Sequence, residues 1–273
     1  MTTQTVAVIG AGKLGELVLS GLLRSGWPAQ QLLATTRRPE RAAELADRYG
    51  IRPVLNLTAV TQADVLLIAV KPQDAGKLLD DFGSKVPPDK LVVSLCAGLP
   101  TSFFADRLPG GIPIVRVMTN TPALVDQAMT VVSPGPYATV DHLTVVEQIF
   151  RPLGRTLRVP ESQQDAVTAL SGSGPAYFYL LVEAMIDAGI LLGLPRQVAH
   201  ELVVQTAIGS ATMLRDSGEH PVKLREAVTS PAGTTISAIR ELEVHGVRAA
   251  FLTALEAARD RARAIATEMS GPS

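Results

Sequence analysis

The hydrophobic pattern of this chain changes texture near residue 160. Before that point, short apolar runs alternate with stretches whose apolar positions recur at helical spacing. Val6–Ile9 precedes a helical stretch from about Lys13 to Arg24, and Leu32–Thr35 precedes another from Pro39 to Tyr49. Val65–Val70, Leu91–Leu95 and Ile112–Val117 are almost unbroken apolar runs. Such runs predict strands covered on both faces, as in a parallel sheet between helical layers. Met129–Val132 and Arg155–Val159 are expected to extend that sheet. Beyond Val159-Pro160 the strand pattern stops. Helices are expected near 163–170, 175–193, 196–215, 221–228, 232–244 and 247–269, separated by turn signals such as Gly193-Leu194-Pro195 and Ser217-Gly218. The expected organisation is an α/β doubly wound sheet over 1–161, followed by an all-helical domain over 162–273.

Two helical segments are too apolar for a small domain. The segment 175–193 is hydrophobic nearly all round, which predicts contacts on every side. The last helix carries Val247, Phe251, Ala254, Ala258, Ala262, Ile265 and Met269 on one stripe. A domain of about 110 residues has limited interior for so much apolar surface, so a second copy of the chain is the expected cover. Residues 175–194 are also long enough to span a bilayer. Glu183 and Asp187 interrupt them, one helical turn apart. An Asp at the centre of a span costs about 2.5–3.5 kcal/mol, so the helix is expected to pack in protein and not in a membrane.

Composition narrows the partners. At 47% hydrophobic and 19% charged residues, global disorder is excluded. The 25 Lys and Arg against 26 Asp and Glu leave a net charge of −1, with no basic excess to neutralise nucleic-acid phosphates. Cys96 is the single cysteine, so no intrachain disulfide forms. That, with an N-terminus lacking a basic and apolar leader pattern, sets the expectation of a cytoplasmic protein. His142, His200, His220 and His245 show no metal-ligand spacing with Cys96, so no metal is expected.

Candidate chemistry gathers at strand ends and helix starts. Gly10-Ala11-Gly12-Lys13-Leu14-Gly15 follows the first strand and opens the first helix, the context in which G-x-G-x-x-G cradles a dinucleotide pyrophosphate. The second strand ends Thr35-Thr36-Arg37-Arg38, with no acid for a ribose hydroxyl. Two arginines there suit a 2′-phosphate, so NADPH is favoured, with NADH possible. Ala69-Val70-Lys71-Pro72 and Leu95-Cys96-Ala97-Gly98 end two further strands on the same edge. Cys96 reads as a small buried hydrophobe rather than a redox group. In the second half, Ser230 is a good N-cap and Pro231 a good first helical residue. The N–H groups of Ala232, Gly233 and Thr234 would then form a carboxylate socket, with the Thr235 hydroxyl beside it. Ser173-Gly174-Pro175 repeats the logic, and each of these starts also reads as an ordinary capped helix.

These residues resemble the pyrroline-5-carboxylate reductase family, almost end to end. The resemblance rests on Gly10-Ala11-Gly12, Ala69-Val70-Lys71-Pro72, Ser171–Tyr177, Gly193-Leu194-Pro195 and the stretch Leu224-Arg225 to Thr235. It implies a Rossmann-type domain and a helical domain that interlocks in a homodimer, often assembled further into a decamer. It implies an oxidoreductase of proline biosynthesis that transfers hydride from NAD(P)H to the small molecule 1-pyrroline-5-carboxylate. The cofactor residues implied are Gly10, Ala11, Gly12, Lys13, Leu14, Thr36, Arg37, Asn56, Ala69, Val70, Lys71 and Ala97, to which their neighbours Arg38 and Pro72 are added. Glu161, Ser230, Gly233, Thr234 and Thr235 are implied for substrate, Thr235 being the catalytic candidate. Three places depart from the family pattern: Met118-Thr119-Asn120-Thr121-Pro122, Gln127-Ala128-Met129, and Pro231-Ala232-Gly233 where Pro-Gly-Gly is commoner. Two other classes share parts of the pattern. A β-hydroxyacid dehydrogenase needs a lysine on helix 175–193, which has none. A non-catalytic NADP-binding regulator has no use for the Ser230–Thr235 socket.

Overall fold

A computed structural model describes residues 4–270, the side chains of Met269 and Ser270 excepted. Met269, at the end of the apolar stripe, therefore lies outside the described side chains. The described chain divides into two compact units. One runs to Ser173 and resumes at Ala257; the other is Gly174–Glu256. The division thus falls later than residue 161, and the end of the last helix belongs with the first unit.

The first unit is built on an eight-stranded sheet. Its strands are β1 (Val6–Ile9), β2 (Leu32–Thr35), β3 (Arg52–Pro53), β4 (Val65–Ile68), β5 (Leu91–Ser94), β6 (Ile114–Met118), β7 (Ala128–Pro134) and β8 (Gly154–Arg158). They are ordered 3-2-1-4-5-6-7-8. Every pairing is parallel except β6 with β7, which form an antiparallel pair. A purely parallel reading of the runs missed that reversal, which a short link through Thr121–Val125 permits. The edge strand β3 was also missed. It is two residues long and contains a proline, which only an edge tolerates.

Alternate residues of each strand feed opposite layers. Val6, Val8, Leu32, Ala34, Leu67 and Val93 pack with α1 (Lys13–Arg24), α2 (Pro39–Tyr49) and, further along the sheet, residues of α6 (Val140–Phe150). Ala7, Ile9, Leu33, Leu66, Ile68 and Val92 pack with α3 (Asn56–Gln62), α4 (Pro72–Phe82) and α5 (Thr101–Ala105). This two-sided burial is why the strands read as unbroken apolar runs. Each buried Leu, Ile or Val side chain contributes about 1.5–3 kcal/mol.

The chain leaves the sheet through a short 3₁₀ turn, α7 (Gln164–Val167) and a π-helical turn over Thr168–Gly172. Ser173 N–H donates to the Thr168 carbonyl at 2.8 Å, so the backbone is already helical when α8 (Gly174–Leu191) begins. Ser173-Gly174-Pro175 therefore sits inside a continuous helical run and presents no free helix start. Asn120 fastens this turn to the sheet: its Nδ2 donates to the Ser171 carbonyl at 3.0 Å, and its Oδ1 accepts from Met129 N–H at 3.1 Å. The departure at Thr119 is absorbed by a buried hydroxyl pair with Thr130, 2.8 Å apart.

The second unit contains α8, α9 (Arg196–Asp216), α10 (Pro221–Ala227), α11 (Thr234–Val244) and the first part of α12 (Val247–Ser270). α8 meets α9 closely at Gly189, where a Cβ would stand 2.9 Å from that of Ala199. Otherwise α8 is largely uncovered in a single chain: Leu180 is 66% and Leu191 88% exposed. Among the described residues, cover for α8 comes on the side of Ile186 and Gly189 and not on every side. The run Glu161–Leu191 is long and apolar enough to cross a membrane by length and composition. Its Asp187 is ion-paired to Arg196 at 3.2 Å. The α12 stripe is split, since Ala262 is buried and Ile265 packs on Gly98 within the first unit, whereas Phe251 is exposed.

Candidate active site

The sheet order reverses between β1 and β4, and in such sheets ligands bind outside the carboxyl ends of the strands at that point. The glycine loop stands there. Gly10 takes φ +85, and any side chain on it would overlap Val70 beyond β4. A Cβ on Gly12 would meet nothing closer than the Gly10 carbonyl at 4.0 Å, so this position opens outward. A Cβ on Gly15 would lie 2.8 Å from Val8 Cγ1, which explains the close seat of α1 on β1. The tight turn, the open approach and the close packing required of a pyrophosphate cradle thus fall on three different glycines. The first α-helical bond of α1 runs from Glu16 N–H to the Gly12 carbonyl, which leaves the N–H groups of Lys13, Leu14 and Gly15 at the helix mouth. A dinucleotide phosphate fits this loop.

The loop is braced from β2 and α2. Gly10 and Ala11 N–H groups both donate to the Thr35 carbonyl, at 3.2 and 2.8 Å. Arg41, only 12% exposed, donates to the Ala11 carbonyl at 3.4 Å and is ion-paired to Glu16 and Glu44. Glu16 also accepts from Arg48 at 3.0 Å and Tyr49 at 2.8 Å. Burial pushes the Glu16 carboxyl up, but the bonds from Arg41 and Tyr49 and the two guanidinium charges outweigh it and hold it below the ordinary 4.5. Sequence reasoning missed Arg41. Nothing marks it there except its place in the first turn of α2.

The other expected cofactor residues line the same edge. Thr36, Arg37 and Arg38 follow β2, and Arg38 N–H donates to Thr36 Oγ1 at 3.4 Å. Arg37 is open to water and ion-paired at 3.0 Å to Asp74, in the first turn of α4. Asn56 is the first residue of α3. Ala69 and Val70 leave β4, Lys71 caps α4 and Pro72 begins it. Ala97 follows β5 beside Cys96. The Cys96 thiol donates to the Val70 carbonyl at 3.4 Å, and burial pushes it up to about 12. It is a packed thiol at neutral pH.

Glu161 belongs to the first unit. Its Oε1 accepts from Thr101 N–H at 2.7 Å and its Oε2 from the Thr101 hydroxyl at 2.6 Å. Buried Arg116 lies 3.6 Å from Glu161 and 3.2 Å from Asp165.

In the second unit the helix start lies three residues later than expected. Ser230 is not the N-cap, and Pro231 does not open the helix. Ser230–Gly233 forms a turn in which Gly233 N–H donates to the Ser230 carbonyl at 3.2 Å. Ala232 takes φ 56, the left-handed region, and so cannot continue into a helix. Gly233 is the N-cap and Thr234 the first residue of α11. A side chain at Gly233 would overlap Ser230 Oγ. The first α-helical bond, Ser237 N–H to the Gly233 carbonyl, leaves the N–H groups of Thr234, Thr235 and Ile236 at the helix mouth. Thr234 and Thr235 remain in the first turn, as expected. Among the described residues no group of three or more His, Cys, Asp or Glu is placed to hold a metal ion.

Two family models match the chain: pyrroline-5-carboxylate reductase dimerisation over residues 161–265, and NADP oxidoreductase, coenzyme F420-dependent, over 5–98. A pyrroline-5-carboxylate reductase of Corynebacterium melassecola is 44% identical, across 94% of this chain and 97% of that protein. The chain belongs to the pyrroline-5-carboxylate reductase family. The solved reductase of Coxiella burnetii matches with a TM-score of 0.89 at 32% identity, covering 97% of this chain and 99% of that one. A Plasmodium falciparum pyrroline carboxylate reductase, solved with NADP bound, also matches with a TM-score of 0.89, at 28% identity and the same coverage. The family's general role is proline biosynthesis, and its C-terminal module is a dimerisation domain.

Proposed function

We propose that this protein reduces 1-pyrroline-5-carboxylate to L-proline with NADPH, as a homodimer or a decamer built from dimers, in the cytoplasm. The observation that carries the reading is the pair of anion-ready helix mouths. One opens α1 beside a glycine cradle; the other opens α11 beside two threonine hydroxyls. When bound, the nicotinamide supplies the hydride. The chain supplies binding and orientation. The N–H groups of Lys13, Leu14 and Gly15 hold the pyrophosphate, with Arg37 and Arg38 on the 2′-phosphate and Asn56, Val70, Lys71 and Ala97 along the dinucleotide. The N–H groups at the start of α11 hold the substrate carboxylate, with Ser230 and Gly233 shaping the turn beneath it. The Thr235 hydroxyl donates a hydrogen bond that orients the ring nitrogen, and that nitrogen carries a proton taken from water, so hydride addition to the neighbouring carbon leaves a neutral amine. Glu161 stays in the substrate set: each of its oxygens accepts one hydrogen bond from Thr101 and keeps a further acceptor site.

Thr235 variants test the socket. Thr235→Ala is expected to lower kcat by roughly ten- to a thousandfold, about 1.4–4 kcal/mol of barrier, with the KM for NADPH within about twofold of wild type. Thr235→Ser keeps the hydroxyl and is expected to recover much of the rate. Wild-type turnover with a lowered Tm in Thr235→Ala would make this threonine a packing residue only.

A further inference from the structure

Arg37 and Asp74 come from different parts of the sheet. Arg37 follows β2 and Asp74 lies in the first turn of α4, beyond β4. β2 and β4 flank β1 on its two sides, so their ion pair bridges the end of the strand that carries the glycine loop. The pair is open to water: the Arg37 side chain is 83% exposed and Asp74 38%. Such a pair contributes little to folding. Its position gives it a different consequence. Arg37 reaches Asp74 through Nη2 at 3.0 Å, and Nη2 belongs to both edges by which a guanidinium can grip a phosphate bidentately.

We propose that Asp74 is a specificity-determining residue that competes with the cofactor's 2′-phosphate for Arg37, and so narrows the preference for NADPH over NADH. The inference rests on the reading of Arg37 as a 2′-phosphate ligand. NADPH must displace the carboxylate from the guanidinium or share it, with two anions brought together. NADH brings no second anion and meets no such competition. An acidic residue at the end of β2 is the common means of favouring NADH. Here the carboxylate arrives instead from α4, across β1, where no reading of the second strand would look for it.

The test compares binding of two probes to the full-length protein by calorimetry. Adenosine 2′,5′-bisphosphate carries the 2′-phosphate and AMP does not; the cofactor KM values are measured in parallel. Asp74→Asn is expected to tighten the bisphosphate about three- to thirtyfold and lower the NADPH KM in step, with AMP and NADH within twofold. In an Arg37→Ala background the same substitution is expected to have less than half that effect on a logarithmic scale. Unchanged or weakened bisphosphate binding in Asp74→Asn overturns the proposal, as does an equal effect with and without Arg37. The underlying reading fails separately: Arg37→Ala would then weaken the bisphosphate and AMP alike.

Discussion

Ala232 is one of three described non-glycine residues with a left-handed backbone, beside Asp126 and Tyr137. It holds φ 56 in the turn that aims α11, where a glycine would stand without steric cost. The left-handed region costs an alanine about 1–2 kcal/mol, and a glycine there gives back about 0.4–1 kcal/mol through the freer unfolded chain. Ala232→Gly is therefore expected to stabilise by roughly 0.5–1 kcal/mol and raise Tm by a few degrees, read by calorimetry. A lowered Tm would mean that the methyl group makes a contact worth more than the strain. The same residue explains an error of local reading. Ser230-Pro231 is a good helix opening by propensity, and only the left-handed turn at Ala232 delays the helix to Thr234. The place of Thr235 in the first turn survives the delay, because a helix that starts at Thr234 still has Thr235 as its second residue.

At the scale of elements, the α1–α2 pair carries the cofactor loop. Arg41 joins α2 to the Ala11 carbonyl and to Glu16 on α1, so it acts on the loop's shape and not on the cofactor's identity. Arg41→Ala is expected to weaken NADPH and NADH binding equally, by about fivefold if one hydrogen bond's worth of about 1 kcal/mol is lost. Fluorescence titration with both cofactors checks this. A loss confined to NADPH would mean that Arg41 reaches the 2′-phosphate itself. The strands and most helices were legible because burial on both faces writes itself as apolar runs and helical periodicity. The antiparallel β6–β7 pair, the two-residue β3 and the π-turn at Thr168–Gly172 were not. Each depends on pairing or local backbone geometry that leaves no periodic mark. Arg41, Asp74 and the contacts that join Glu161 to Thr101 and Arg116 were hidden for a related reason. A charged side chain usually reads as solvated, and only the fold shows what it reaches.

Across the whole molecule, much of the apolar surface on the helices of the second unit is exposed among the described residues. Phe178, Leu180 and Leu191 on α8 and Ile208 and Met213 on α9 are exposed, within a module that belongs to a dimerisation family. Light scattering at micromolar concentration is expected to give roughly 58 kDa or a multiple, at least twice the 28.8 kDa chain. A stable, active monomer would contradict the reading of those faces as an interface. The sequence pattern pointed to this surface correctly, although it placed the whole α12 stripe there. Ala262 and Ile265 of that stripe lie against Gly98 instead.

The central claim is hydride transfer from NADPH to the imine carbon of 1-pyrroline-5-carboxylate, and the fate of a labelled hydride tests it most directly. The purified protein is supplied with the imine and NADPH deuterated at the transferred position, and the product is read by mass spectrometry and NMR. The expected result is L-proline with one deuterium on the δ carbon, formed mole for mole with oxidised cofactor. Cofactor oxidation at the background rate, or proline without deuterium at that carbon, would contradict it.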